Sequence, residues 1–174
     1  MTTSKKLSKA EIKRRARQVK LVLTDVDGVL TDTGVYYSAR GEELKRFSIR
    51  DGMGMELLRE HGIETAMITR ETSGTVEARS KKLNLPYLYL GVWDKRGSLS
   101  RIMTETNTKL SELAYIGDDV NDIDIMEAIS DEGLTGCPLD AMPVVASISH
   151  YRATAPGGHG AFRDFAEWIL DNRS

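Results

Sequence analysis

The sequence predicts an open α/β fold: a parallel sheet with helices on both faces and a small β-hairpin flap. Short apolar runs such as Leu21–Thr24 and Leu113–Ile116 recur along the chain, each followed by acidic or glycine-containing turns. Amphipathic stretches separate them, which is the pattern of parallel strands joined by helical crossovers. The 174 residues are 40% hydrophobic and 29% charged, enough for one sizeable core and too apolar for wholesale disorder. There is no internal repeat, low-complexity tract or Pro/Gly-rich linker, so one domain is expected over residues 20–174, preceded by a basic extension over 1–19.

In the extension and at its junction, Lys5, Lys6, Lys9, Lys13, Arg14, Arg15, Arg17 and Lys20 oppose only Glu11. Ser8 and Glu11 have capping-box spacing for a helix starting at Lys9. A solvated helix or frayed arm is expected there, rather than an RNA- or membrane-binding arm. The first strand follows at 21–24. Residues 34–38 and 43–49 flank Ala39-Arg40-Gly41 and read as the hairpin. Asp51 is placed to cap a helix through Met53, Met55, Leu57 and Leu58, closed by Gly62. Strands are expected at 63–69, 87–90 and 113–116, and helices at 74–83, 95–106 and 121–129. Short strands near 134 and 148–151 and a helix over 161–170 complete the chain.

Composition excludes several function classes. Net charge is −2, from 24 basic and 26 acidic residues, so no global field recruits nucleic acid. No apolar run approaches the roughly 20 residues that cross a bilayer, and no secretory leader is visible, so a cytoplasmic address is expected. The single cysteine, Cys137, rules out an internal disulfide framework and a multi-cysteine zinc site. His61, His150 and His159 are scattered without ligand spacing and are assigned surface or loop roles.

In an open parallel sheet, ligands bind beyond the carboxyl ends of the strands. Asp25-Val26-Asp27-Gly28 follows the first strand, Thr69 the second, Lys95 lies a few residues past the third, and Gly117-Asp118-Asp119-Val120-Asn121-Asp122 follows the fourth. Each group alone is ordinary turn chemistry; together they place five carboxylates, a hydroxyl and an ammonium on one edge. Carboxylates this close repel unless a hard cation sits among them, and an all-oxygen set suits Mg2+. Lys95 can neutralise phosphate charge, Thr69 can donate to it, and Gly28 lets backbone amides approach. One aspartate can act as nucleophile through an aspartyl phosphate, and a second, two residues on, as acid and then base. A phospho-receiver domain uses similar groups, but its acidic pair comes first and its phosphorylated aspartate mid-chain, the reverse of the order here.

These segments resemble the four motifs of the haloacid dehalogenase superfamily. From about residue 20 to 170 the chain is similar to its capless sugar-acid phosphatases. Gly41-Glu42-Glu43-Leu44-Lys45, Arg50-Asp51-Gly52 and Gly157-Gly158-His159-Gly160-Ala161-Phe162-Arg163-Asp164 carry the subfamily likeness. The resemblance implies a Rossmann-like core without a separate cap domain, and a magnesium-dependent phosphomonoesterase acting on a phosphorylated 2-keto-3-deoxy sugar acid. By position, Asp25 is the implied nucleophile and Asp27 the acid/base, with the Asp27 carbonyl on Mg2+ as well. Asp118 is an implied metal ligand, Asp119 a partner of Lys95 or of the metal's waters, and Asp122 a supporting residue. Thr69 and Lys95 are the implied phosphate binders, with Gly28, Arg50 and Arg163 implied around the substrate. A homotetramer is implied, in which a neighbour's hairpin or tail covers the site, the tail carrying His159 and Arg163.

Two departures stand out. Arg70 replaces the glycine that usually follows the motif threonine; it either supplies an extra anion contact or points to solvent. Glu71 stands where octulosonate phosphatases carry arginine. With Arg79 and Lys82 it resembles the branch acting on nonulosonate (sialic-acid-type) 9-phosphates, although the same residues also read as a solvated helix face. The nine-carbon acid is the expected substrate, with 3-deoxy-D-manno-octulosonate 8-phosphate as the alternative.

Overall fold

A computed structural model describes residues 6–174; Lys5 lies outside the described residues. Six parallel strands form the main sheet in the order β5-β4-β1-β6-β7-β8: β1 (Leu21–Thr24), β4 (Glu64–Ile68), β5 (Tyr87–Tyr89), β6 (Leu113–Ile116), β7 (Leu134–Cys137) and β8 (Tyr151–Arg152). The antiparallel pair β2 (Thr31–Ser38) and β3 (Gly41–Phe47) stands apart as the hairpin. Strand residues alternate between two cores. Val22, Met67, Ala114 and Ile116 face one, while Leu21, Leu23, Ala66, Ile68, Leu113 and Tyr115 face the other. The first core is covered by α2 (Ile49–Glu60), α3 (Gly74–Lys82) and α7 (Ala161–Asp171), and the second by α4 (Leu99–Thr106), α5 (Ile123–Ser130) and α6 (Pro143–Ile148). Because β1 is flanked by β4 and β6, the chain reverses its direction of travel across the sheet at β1. The loops after these three strands therefore meet at one edge.

Several elements differ from expectation for identifiable reasons. Ser48, not Asp51, caps α2, its hydroxyl accepting from the Arg50 amide at 3.1 Å. Asp51 is buried and serves the start of α7 instead, accepting from the Arg163 amide at 3.0 Å. The hairpin is longer than its sequence signal because Thr31 already pairs with Phe47 at its base. Helix α4 begins at Leu99, after Lys95 and the turn that follows it, so Lys95 is a loop residue. Helix α6, with Pro143 at its first turn, was not expected; it is one short segment whose Val144-Val145 pair gives no helical period. Ile148 falls within it, and the last strand is only Tyr151–Arg152.

The basic extension forms α1 (Lys9–Gln18), with Ser8 accepting from the Glu11 amide at 3.2 Å. It is not a solvated helix throughout. Ala16 and Val19 join the core, and the buried Arg15 guanidinium donates to the carbonyls of Ser130, Gly133 and Asp131. Among the described residues, no helix is long and apolar enough to cross a membrane.

Candidate active site

The chain leaves β1 at Thr24, and Asp25 follows at once, anchored by its amide to the Ile116 carbonyl of β6 at 3.0 Å. Asp25 is 4% exposed, and its carboxylate lies 2.9 Å from the Lys95 ammonium. Lys95, equally buried, also contacts Asp122 Oδ1 at 2.6 Å and the Tyr115 hydroxyl at 3.2 Å. Tyr115 in turn donates to the same Asp122 oxygen at 2.6 Å. The second Asp122 oxygen accepts the amides of Asp118 and Asp119, at 2.9 and 3.4 Å.

Oxygens of Asp25, Asp118 and Asp122 lie within 4.8 Å of one another. Burial, then the nearby Asp122 charge, push the Asp25 carboxyl up to about 7 against the pull of Lys95. Burial, then Asp25 and the other carboxylates, push Asp118 up to about 8. Burial works against the Lys95 ammonium, but Asp25 and Asp122 outweigh it and its pKa is raised. The buried Asp118 Oδ1 has no hydrogen-bond partner. An orphaned buried acceptor between crowded carboxylates is the condition a hard cation relieves. Asp25 and Asp118 therefore fit a magnesium ion. Asp122, with both oxygens already saturated by four donors, supports the cluster instead of ligating.

Gly28 is required twice over. Its φ is +94°, and a Cβ there would meet Asp118 Oδ2 at 1.9 Å. Asp27 sits one residue earlier with its side chain 28% exposed, clamped by Lys45 of β3 at 2.8 and 2.9 Å. Lys45 also reaches Glu42 at 3.3 Å, and Glu42 accepts from Ser73 and Thr75 at the start of α3. A polar chain therefore runs from α3 through the hairpin to Asp27. Thr69 is buried just past β4, its hydroxyl accepting from the Glu71 amide at 3.1 Å.

The structure thus brings Asp25, Asp27, Gly28, Lys95, Asp118 and Asp122 together, with Thr69 at the same sheet edge. Other expectations need correction. Asp119 does not partner Lys95; its carboxylate turns to the Val120 amide at 2.6 Å, and Asp122 takes the lysine instead. Arg79 is spent on the Ser48 carbonyl at 2.9 Å and stacks on Phe47, tying α3 to the start of α2. Lys82 is the last residue of α3, which runs from the site edge back across the sheet, so it lies away from its own subunit's cluster. Glu71 is exposed, and among the described residues its carboxylate makes no hydrogen bond or ion pair. The Arg163 guanidinium pairs with Glu167 at 2.6 Å, and Arg50 is exposed beside Gly160. The Gly157-Gly158 segment docks on this subunit's own loop: the Gly158 amide donates to Val29, and a Cβ on Gly157 would meet the Gly28 carbonyl at 2.0 Å. Lys45 and Tyr115 were not foreseen. A tyrosine inside a buried strand is a usable signal, since its hydroxyl needs a partner there.

Comparison with known proteins decides the family. A curated 3-deoxy-D-manno-octulosonate 8-phosphate phosphatase from Yersinia pestis is 34% identical over 160 residues, covering 92% of this chain and 84% of that protein. The chain belongs to the 3-deoxy-D-manno-octulosonate 8-phosphate phosphatase family. It is accordingly a phosphoric monoester hydrolase of the haloacid dehalogenase type. No protein-family model matches the chain. The octulosonate phosphatase of Moraxella catarrhalis, solved with magnesium, phosphate and the sugar acid, shares 34% identity at a TM-score of 0.86, covering 94% of this chain and 92% of that one. A cobalt-bound relative from Haemophilus influenzae shares 32% identity at a TM-score of 0.86, with 91% of each chain covered.

Proposed function

We propose that this chain is a magnesium-dependent phosphatase of 3-deoxy-D-manno-octulosonate 8-phosphate. The observation that carries the reading is Asp25, buried between Lys95 at 2.9 Å and the orphaned Asp118 oxygen, at the end of the central strand. The relatives named above support the eight-carbon acid. The nine-carbon expectation rested on Glu71, Arg79 and Lys82. Within the subunit, Arg79 is committed to Ser48 and Lys82 lies at the far end of α3.

The Asp25 carboxylate attacks phosphorus in line, while Asp27 gives its proton to the departing sugar oxygen. Water then attacks the aspartyl phosphate, Asp27 takes the water's proton, and Asp25 leaves as carboxylate with inorganic phosphate released. Lys95 and Thr69 hold the phosphoryl oxygens; Asp122 and Tyr115 fix the ammonium of Lys95. The carboxylates of Asp25 and Asp118 and the Asp27 carbonyl would hold Mg2+, which when bound neutralises phosphate charge and keeps Asp25 ionised.

A homotetramer belongs to the same proposal. The hairpin exposes Tyr36, Tyr37 and Leu44, and Ile49 follows it at 84% exposure. Such a patch on a capless enzyme suits a neighbouring subunit. A substrate carrying both a carboxylate and a phosphate does not cross bilayers, which supports a cytoplasmic address. The test is phosphate release with Mg2+, comparing octulosonate 8-phosphate with nonulosonate 9-phosphates. A kcat/KM at least about tenfold higher for the eight-carbon acid is expected, 1.4 kcal/mol of discrimination. The opposite preference overturns the substrate, and no release from either overturns the substrate class.

A further inference from the structure

Arg70 and Trp93 form a unit at the site edge that none of the roles above uses. Arg70 directly follows Thr69, and Trp93 lies two residues before Lys95, so both flank the proposed phosphate contacts. The loops carrying them are laced together. Val92 donates to the Thr69 carbonyl at 2.9 Å, Gly91 to the Glu71 carbonyl at 3.2 Å, and Thr69 to the Tyr89 carbonyl at 3.0 Å. The Arg70 guanidinium carbon rests 5.6 Å from the Trp93 ring centroid. Three features set this cation apart. Its Nε is buried without a partner. Among the described residues its guanidinium makes no ion pair or hydrogen bond. Its partner Trp93 is 74% exposed, an unusual position for a tryptophan.

A half-buried guanidinium with unused donors, lying over an indole, is preorganised for a planar anion. Phosphate already has Lys95 and Thr69. We infer that Arg70, backed by Trp93, binds the carboxylate of the sugar acid and selects acids over neutral sugar phosphates. The inference rests on the substrate class proposed above. It makes Arg70 a specificity residue reached from the position next to Thr69, while Glu71 beside it faces solvent.

The experiment measures kcat/KM for octulosonate 8-phosphate and for D-arabinose 5-phosphate, which lacks the carboxylate, in wild type, Arg70→Gln, Arg70→Lys and Trp93→Ala. Arg70→Gln is expected to lose about ten- to a hundredfold on the acid, mainly in KM, and under about threefold on the aldose phosphate. Arg70→Lys keeps the charge but not the planar fork, and falls between. Trp93→Ala follows the same substrate-selective pattern, more weakly. A preference for the acid that survives Arg70→Gln, or equal losses on both substrates, overturns the inference and leaves the substrate class intact. A wild type that turns over the two substrates equally refutes the sugar-acid reading and this inference with it.

Discussion

Replacing Lys95 by Met tests the electrostatic architecture of the site. Lys95 is the sole cation touching two buried carboxylates among the described residues, at 2.9 Å from Asp25 and 2.6 Å from Asp122. Removing one partner of a buried pair costs about 3–5 kcal/mol, because the remaining charges are left uncompensated. For a chain of this size each kcal/mol moves Tm by about 2–4 °C, so metal-free Lys95→Met is expected to melt about 6–20 °C below wild type at pH 8. The deficit has a pH signature. Asp25, already raised to about 7 beside the ammonium, holds its proton more tightly without it, whereas the unfolded chain releases that proton above about pH 4, so stability falls as pH rises from there through the folded value. At pH 5.5, where the folded Asp25 carboxyl is protonated, at least half of the deficit disappears. Circular dichroism melts at the two pH values read this directly, and phosphate release should drop by about a hundredfold or more. A deficit below about 3 °C, or one of equal size at both pH values, refutes the reasoning.

Three further outcomes follow from the same geometry. Gly28→Ala should raise the magnesium concentration for half-maximal activity by about tenfold or more, since the new Cβ displaces Asp118; titrating activity with Mg2+ checks it. Wild-type protein stripped of metal should lose stability from pH 5 to pH 8, because Asp25 and Asp118, raised to about 7 and about 8, bind protons that the unfolded chain does not. Saturating Mg2+ should accordingly raise Tm more at pH 8 than at pH 5.5, and equal shifts would contradict the metal assignment. Lys45→Met should lower kcat by about ten- to a hundredfold with KM nearly unchanged, because Asp27 loses the clamp that aims it; a stopped assay over substrate concentration separates the two parameters.

The parts of the fold readable from sequence were those with strong periodic or local signals. Leu21–Thr24 and Leu113–Ile116 are uninterrupted apolar strands, and the Ser8 cap has a local spacing that needs no tertiary partner. Asp51 shows the limit. In sequence it stands at a helix start and reads as a cap, yet its partner is the Arg163 amide, 112 positions away. The same holds within the site. The acidic residues after β1 and β6 announce themselves by position, but which carboxylate meets Lys95 depends on the turn after β6. That turn sends Asp119 to the Val120 amide and Asp122 inward. Lys45 sits on an exposed-looking hairpin, and only the fold shows its side chain buried against Asp27. Arg79 and Lys82 read as a substrate face because helical spacing says nothing about which end of a helix lies at the sheet edge.

The central claim is that Asp25 is the residue phosphorylated during turnover. Rapid quench of wild-type enzyme with Mg2+ and octulosonate 8-phosphate, followed by peptide mass spectrometry, reads it directly. One phosphoryl group is expected on the peptide bearing Asp25, appearing before steady-state phosphate release and absent in Asp25→Asn, which should also be inactive. Undiminished turnover in Asp25→Asn, or a phosphoryl group trapped on another residue, would contradict the account.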